Sequence, residues 1–214
     1  MKVLVATALS DRQSAVRRGE LLEYGTIAWN SAEGVIAVLV GLLAGSVALV
    51  GFGLDSFIEV SSGVALLWRL HHDRNEQRRE RVERLTLRIV GWCFLALAAY
   101  VGQDSLTALL RREAPDESLT GIVLAAVSLI VMPLLARAKR RVAAQLGSAA
   151  MAADARQTDF CMYLSAILLA GLGLNALFGW WWADPSAGLL MTPIIVNEGV
   201  RALRGKTCCC AGPH

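Results

Sequence analysis

Six apolar runs, each near the length of a bilayer-crossing helix, alternate along this chain with blocks of charge. A helix rises about 1.5 Å per residue, so about 20 apolar residues cross the hydrocarbon core. Such windows fall at roughly 21–44, 47–68, 85–110, 119–136, 159–182 and 185–203. The chain of 214 residues is 55% hydrophobic with a mean hydropathy of +0.49, and soluble domains rarely combine those values with charges gathered into blocks. The expectation is an all-α membrane protein: a cytoplasmic segment over 1–20, one unit of six transmembrane helices over 21–204, and a Cys-rich tail over 205–214.

Orientation follows from Lys and Arg, which accumulate in cytoplasmic loops. All but Arg111 and Arg112 of the 21 basic residues precede the first run, join runs two and three, join runs four and five, or close the chain. Both termini are therefore expected in the cytoplasm. The charged stretch 11–20 precedes an apolar run too long for a signal peptide, so no cleaved leader is expected. Of the five cysteines, Cys93 and Cys161 fall within spans and Cys208, Cys209 and Cys210 on the tail, a distribution that suits thiols better than disulfides.

Trp180, Trp181 and Trp182 at the outer end of run five, and Trp68 at the inner end of run two, read as interfacial anchors. Ala44, Gly45 and Ser46 turn run one into run two, and Ala183, Asp184 and Pro185 are expected to turn run five into run six, making each pair an antiparallel hairpin. Gly41 and Gly45, with Gly51 and Gly53 opposite, suit close helix packing.

An ionisable side chain at membrane depth costs at least about 2.5 kcal/mol, so charges within the spans point to function. Asp55 and Glu59, four residues apart in run two, share a helical face. Two such anions repel at low dielectric unless a cation or a shared proton joins them. Ser62 extends that stripe. Run one carries Glu23, Thr26, Asn30 and Glu33 on one face, and run five carries Asp154, Thr158, Cys161 and Ser165. Asp159 lies off that stripe, about 140° around the axis from Asp154. Three polar faces imply a hydrophilic space between helices. Blander roles compete: Glu23 solvated at the interface, Asn30 bonding helix to helix, Asp154 in a charged linker, and Cys161 as a small filler.

The stretch Gly45-Ser46-Val47-Ala48-Leu49, followed by Leu54-Asp55-Ser56-Phe57-Ile58-Glu59, resembles the second-helix signature of the cation diffusion facilitator family, in which Gly-Ser-x-Ala-Leu leads to Leu-Asp-Ser-x-x-Asp. The resemblance implies a six-span homodimeric exporter of zinc, manganese, iron or cobalt that exchanges metal for protons. It would sit as a multi-pass protein in the plasma membrane of a prokaryote, with no nucleic-acid partner and no cofactor beyond the transported ion. Three departures stand out. Glu59 replaces the family's second Asp. Helix five of the family carries His-x-x-x-Asp, whereas Ala155 stands four residues before Asp159. Only ten residues follow Arg204, so the family's cytoplasmic metal-binding domain is expected to be absent and dimerisation to rest on the membrane helices. The partners of Asp55 and Glu59 stay open between Asp159 and the wall of Asp154, Thr158 and Cys161.

Carboxylates with oxygen or sulfur partners and no intramembrane His favour manganese or iron(II), with zinc still compatible. Close acids hold a proton when the metal is absent, which couples the two ligands. The Arg-rich stretch 69–88, with His71 and His72, reads as a solvated extension that attracts anionic lipid. Cys208, Cys209, Cys210 and His214 suit either metal capture or a lipid-associated tail. The rival readings are a non-transporting scaffold, a metal sensor and a channel; hydrolytic motifs of the His-Glu-x-x-His and Gly-x-Ser-x-Gly kinds are absent from the sequence, so no enzyme is expected.

Overall fold

The computed structural model describes residues 2–71, 76–112, 115–147 and 149–204; among them are six helices and no strand. They are α1 (Lys2–Ala44), α2 (Val47–His71), α3 (Glu76–Arg111), α4 (Leu119–Leu146), α5 (Ala149–Phe178) and α6 (Ala183–Leu203). His72, Cys208, Cys209, Cys210 and His214, together with the side chain of His71, lie outside the described residues.

Among the described residues, five helical segments are long and apolar enough to cross a membrane: Gln13–Ala44, Val47–Trp68, Arg88–Arg111, Leu119–Leu146 and Asp154–Phe178. The sixth expected span, α6, has 21 residues and packs along α3. Leu43, Leu110, Leu119 and Leu177 are each more than 70% exposed on the outside of the bundle. Exposed leucine on that scale suits acyl chains rather than water.

Several helices outrun their apolar windows. At 43 residues α1 is about 65 Å long, roughly twice the hydrocarbon thickness. Likewise α4 continues past residue 136 to Leu146, so residues expected in a loop are helical. Hydropathy finds where a helix meets lipid, whereas its end is set by backbone chemistry. Gly147 (φ +59°) ends α4 and Gly179 (φ +65°) follows the end of α5. Such left-handed conformations are open to glycine at little cost.

Gly179 also corrects two expectations. The apolar pattern predicts a fifth span through the tryptophans to residue 182, but α5 stops at Phe178. Residues 179–182 form the turn, with the Trp180 and Trp182 rings stacked at 5.0 Å. Ala183, Asp184 and Pro185 are consequently the first turn of α6, not the connection before it.

The hairpin α1–α2 forms as expected. Gly45 (φ +65°) lets the chain reverse, Ser46 N–H donates to Gly41 O at 2.9 Å, and Ser46 Oγ accepts from Leu49 N–H at 3.1 Å to cap α2. The helices then touch backbone to backbone: a Cβ on Gly41 would meet Val50 N at 2.8 Å, and one on Gly53 would meet Val38 N at 2.9 Å.

Contacts α1–α2, α2–α5, α5–α4 and α4–α1 close a ring of four helices, and the α3–α6 pair flanks it against α2 and α5. The apolar core runs through both parts, including Phe52, Phe94, Met132, Leu164, Leu168 and Met191, with Phe94 edge-on to Phe160 at 6.1 Å. A second apolar cluster of Leu66, Val142, Ala143 and Met151 closes the end of the ring where α1 begins and most basic residues lie. That end is called the basic end below.

Candidate functional site

Three of the four ring helices turn the polar stripes read from their periodicity into the ring. On α1, Glu23, Thr26, Asn30 and Glu33 are all buried. On α2, Asp55, Ser56 and Glu59 are buried, while Ser62 is half-buried. On α5 the same holds for Asp154, Thr158, Cys161 and Ser165. The 3.6-residue period makes this possible, because residues three and four apart stay on one side of the axis.

The middle of the ring holds more acids than cations: Glu59 has Lys139 as a charged neighbour, while the charged neighbours of Asp55 are all acids. Thr158 Oγ1 donates to Glu59 Oε1 at 2.9 Å, and Ser56 Oγ donates to Glu33 Oε2 at 3.1 Å. The other oxygens, Glu59 Oε2 and Glu33 Oε1, have no hydrogen-bond partner, nor do Trp29 Nε1 and both side-chain polar atoms of Asn30. Among the described residues no hydrogen bond or ion pair engages Asp55, which is 2% exposed and has Glu59, Glu33 and Glu198 as its charged neighbours. Cys161, fully buried on α5, has Glu59, Glu33 and Asp55 nearby. Buried polar atoms are nearly always paired, so these unpaired ones stand out as a group, with Trp29 beside Glu33 and Asn30 beside Glu59.

Toward the basic end the pattern changes. Lys139 of α4 is fully buried, its ammonium 3.3 Å from Glu23 Oε1 and in direct contact with Asp154 Oδ2. The sequence pattern places Lys139 in a cytoplasmic connection and allows a solvated Glu23 and a linker role for Asp154; the structure corrects all three, since α4 and α5 extend through this region and bring the side chains together. A signal existed. Ala125, Ser128, Met132, Ala136, Lys139 and Ala143 follow one helical stripe and are all buried, so the period of α4 carried past its apolar window would have found Lys139.

The five candidate metal ligands are thus divided. Asp55, Glu59 and Cys161 share the interior of the ring, and Glu33, noticed in its stripe but not named as a ligand, joins them. Asp154 is held by Lys139. Asp159 points elsewhere, to an ion pair with Arg140 whose partners are 28% and 45% exposed. Among the described residues no three His, Cys, Asp or Glu side chains converge closely enough to grip one metal ion together.

A further buried acid lies near the far end of the ring. Ser46 Oγ donates to Asp184 Oδ1 at 2.6 Å, and the backbone amides of Val47 and Ala48 at the start of α2 face the same carboxylate. Asp184 therefore complements a helix N-terminus, tying α6 to the α1–α2 turn.

Compared with known families, residues 26–206 match the cation efflux transmembrane domain. The chain belongs to the cation efflux family. A comparison with curated proteins found no match. The matched stretch takes in all of α2 to α6 and the part of α1 that carries Thr26, Asn30 and Glu33, while Glu23 precedes it. Members of the cation efflux family are membrane transporters of cations, not enzymes, and the buried acids of this chain lie within the ring of α1, α2, α4 and α5.

Proposed function

We propose that this protein moves a divalent metal cation out of the cytoplasm in exchange for protons, with Asp55 and Glu59 as its principal ligands. The observation that carries the reading is the group of buried carboxyls at Asp55, Glu59 and Glu33, in which Glu59 Oε2 and Glu33 Oε1 have no hydrogen-bond partner and, among the described residues, no hydrogen bond engages Asp55. A scaffold would use polar stripes to satisfy polar atoms between helices, and these oxygens are unsatisfied.

Anions packed this closely in a low dielectric alternate between two neutral arrangements: protonated, or bound to a dication. Metal arrival displaces protons and metal release readmits them, so exchange follows from the ligand chemistry. Carboxylates with Thr158 and Cys161 beside them favour manganese or iron(II) and accept zinc or cobalt. Since no three ligands converge among the described residues, the site is completed by movement of α5 relative to α2 as the cation arrives, in the manner of alternating access. The basic end faces the cytoplasm, both termini with it, in the plasma membrane of a prokaryote, and two copies pair through their membrane helices.

Liposomes carrying the purified protein and an internal pH dye test this. Metal influx accompanied by proton movement is expected for the wild type, and neither for Asp55→Asn or Glu59→Gln. Flux that persists in both variants removes the site; flux without a pH change removes proton exchange alone.

A further inference from the structure

The unpartnered groups in the middle of the ring are not confined to α2; two of them stand on α1. Asn30 is fully buried, and neither its amide oxygen nor its amide nitrogen has a hydrogen-bond partner. One turn further on, Glu33 is 1% exposed; Ser56 engages its Oε2, while its Oε1 is unpartnered. An asparagine that merely joined two helices would have its amide bonded across the interface, as buried polar groups nearly always are.

Packing fixes what these two residues face. A Cβ on Gly34 of α1 would meet Gly53 O at 3.0 Å and the Phe57 ring at 3.1 Å, and a Cβ on Gly63 of α2 would meet Ile27 at 3.0 Å. Because the two helices run antiparallel, Asn30 and Glu33 lie between those crossings, at the level of Glu59 and Ser56. Asn30 accordingly stands beside Glu59, and Glu33 is a charged neighbour of both Asp55 and Glu59. Helix α5 has no free carboxylate to add: Lys139 holds Asp154 and Arg140 holds Asp159, which leaves Cys161 and a Thr158 that already bonds Glu59.

We propose that α1 supplies half of the cation's ligands: Asn30 Oδ1 and Glu33 Oε1 bind the transported ion together with the carboxylates of Asp55 and Glu59. The inference rests on the transport reading above and adds its selectivity. Three carboxylates and an amide carbonyl make an all-oxygen set of the kind that suits hard cations, so the site takes Mn²⁺ in preference to Zn²⁺, which is held most often by His nitrogen and Cys sulfur. The amide also adds an oxygen without adding a fourth negative charge to acids that already repel. No three acids converge among the described residues, so the ion gathers the rotatable glutamate arms as it binds. The α1–α2 hairpin, whose helices meet closely at Gly34 and Gly53, keeps all four residues on one unit while α5 moves.

Liposomes carrying the full-length protein, assayed separately for Mn²⁺ and Zn²⁺ flux, test the assignment. The wild type is expected to prefer Mn²⁺. Asn30→Leu and Glu33→Gln should each raise the KM for Mn²⁺ about tenfold with a much smaller change for Zn²⁺, so that the preference falls. An unchanged Mn²⁺ KM in both variants, with Asp55→Asn inactive, overturns the proposal and leaves the Asp55 and Glu59 site standing; Asn30 and Glu33 then serve helix contacts alone. A lost Mn²⁺ preference in the α1 variants beside undiminished flux in Asp55→Asn supports the α1 ligands and refutes the Asp55 site. Equal losses for the two metals overturn the selectivity. If Asn30→Leu and Glu33→Gln do not fold, Glu33→Asp decides, because it keeps the charge and withdraws the carboxylate by one methylene: a raised Mn²⁺ KM supports ligation, and an unchanged one overturns it.

Discussion

The ring contains two nests of buried acid that meet the same physical difficulty in opposite ways. At the basic end, Glu23 and Asp154 carry their own cation in Lys139. Further along the ring, Glu59 and Glu33 have the hydroxyls of Thr158 and Ser56 as donors, with Asn30 and Trp29 beside them, and Asp55 has no hydrogen bond among the described residues. A charge in a low dielectric must be neutralised somehow; a fixed lysine does so permanently, and an unpaired cluster does so only with something that comes and goes. The contrast separates a compensated nest from one that depends on a mobile ion or proton. Asp184 shows a third arrangement, with a serine hydroxyl and a helix N-terminus in place of any cation.

The sharpest way to break that comparison is to remove the charge from each nest and ask what is lost. Asp55→Asn is expected to lower metal flux in liposomes to that of protein-free vesicles while leaving thermal unfolding in detergent unchanged or slightly higher, since no partner is stranded. A large loss of stability would mean that a hidden structural partner exists.

Lys139→Met should behave in the opposite sense. It leaves two buried acids without a cation and is expected to destabilise the folded protein by about 3–5 kcal/mol. Adding Glu23→Gln and Asp154→Asn should return most of that, as measured by denaturant unfolding. If the single variant is as stable as the wild type, the two nests do not differ in the way described.

Ser46→Ala tests the third arrangement. Loss of the α2 cap and of the hydroxyl on Asp184 is expected to cost about 1–2 kcal/mol in the same unfolding assay, with flux retained. The smallest effect belongs to the half-exposed pair of Arg140 and Asp159. Arg140→Gln should change stability by less than about 1 kcal/mol and leave the metal KM where it was, because solvent screens such pairs.

Much of the acid cluster was legible before any fold was known. The steps of three and four residues joining Glu23, Thr26, Asn30 and Glu33 predict a single helical face, and that face is buried throughout. The same reasoning put Asp55 with Glu59 and set Asp159 apart from the α5 stripe, and Asp159 does turn toward Arg140 rather than into the ring. What escaped was Lys139. Hydropathy ends run four at residue 136 because the following residues are basic, yet the helix continues to Leu146 and its buried stripe to Ala143. A hydropathy window weighs a lysine as a solvated charge, and cannot register two carboxylates arriving from other helices.

The chain by itself determined that this is a six-helix membrane protein of the cation efflux family and which side of α1, α2 and α5 is polar, because helical periodicity and transfer to lipid are properties of neighbouring residues. Only the tertiary structure decided which acids are compensated. Lys139 meets Glu23 across 116 positions and Asp154 across 15, and both meetings depend on α4 closing the ring between α1 and α5. Local spacing sets where a charge points along its own helix; whether a counter-charge waits there is settled by the packing of the others.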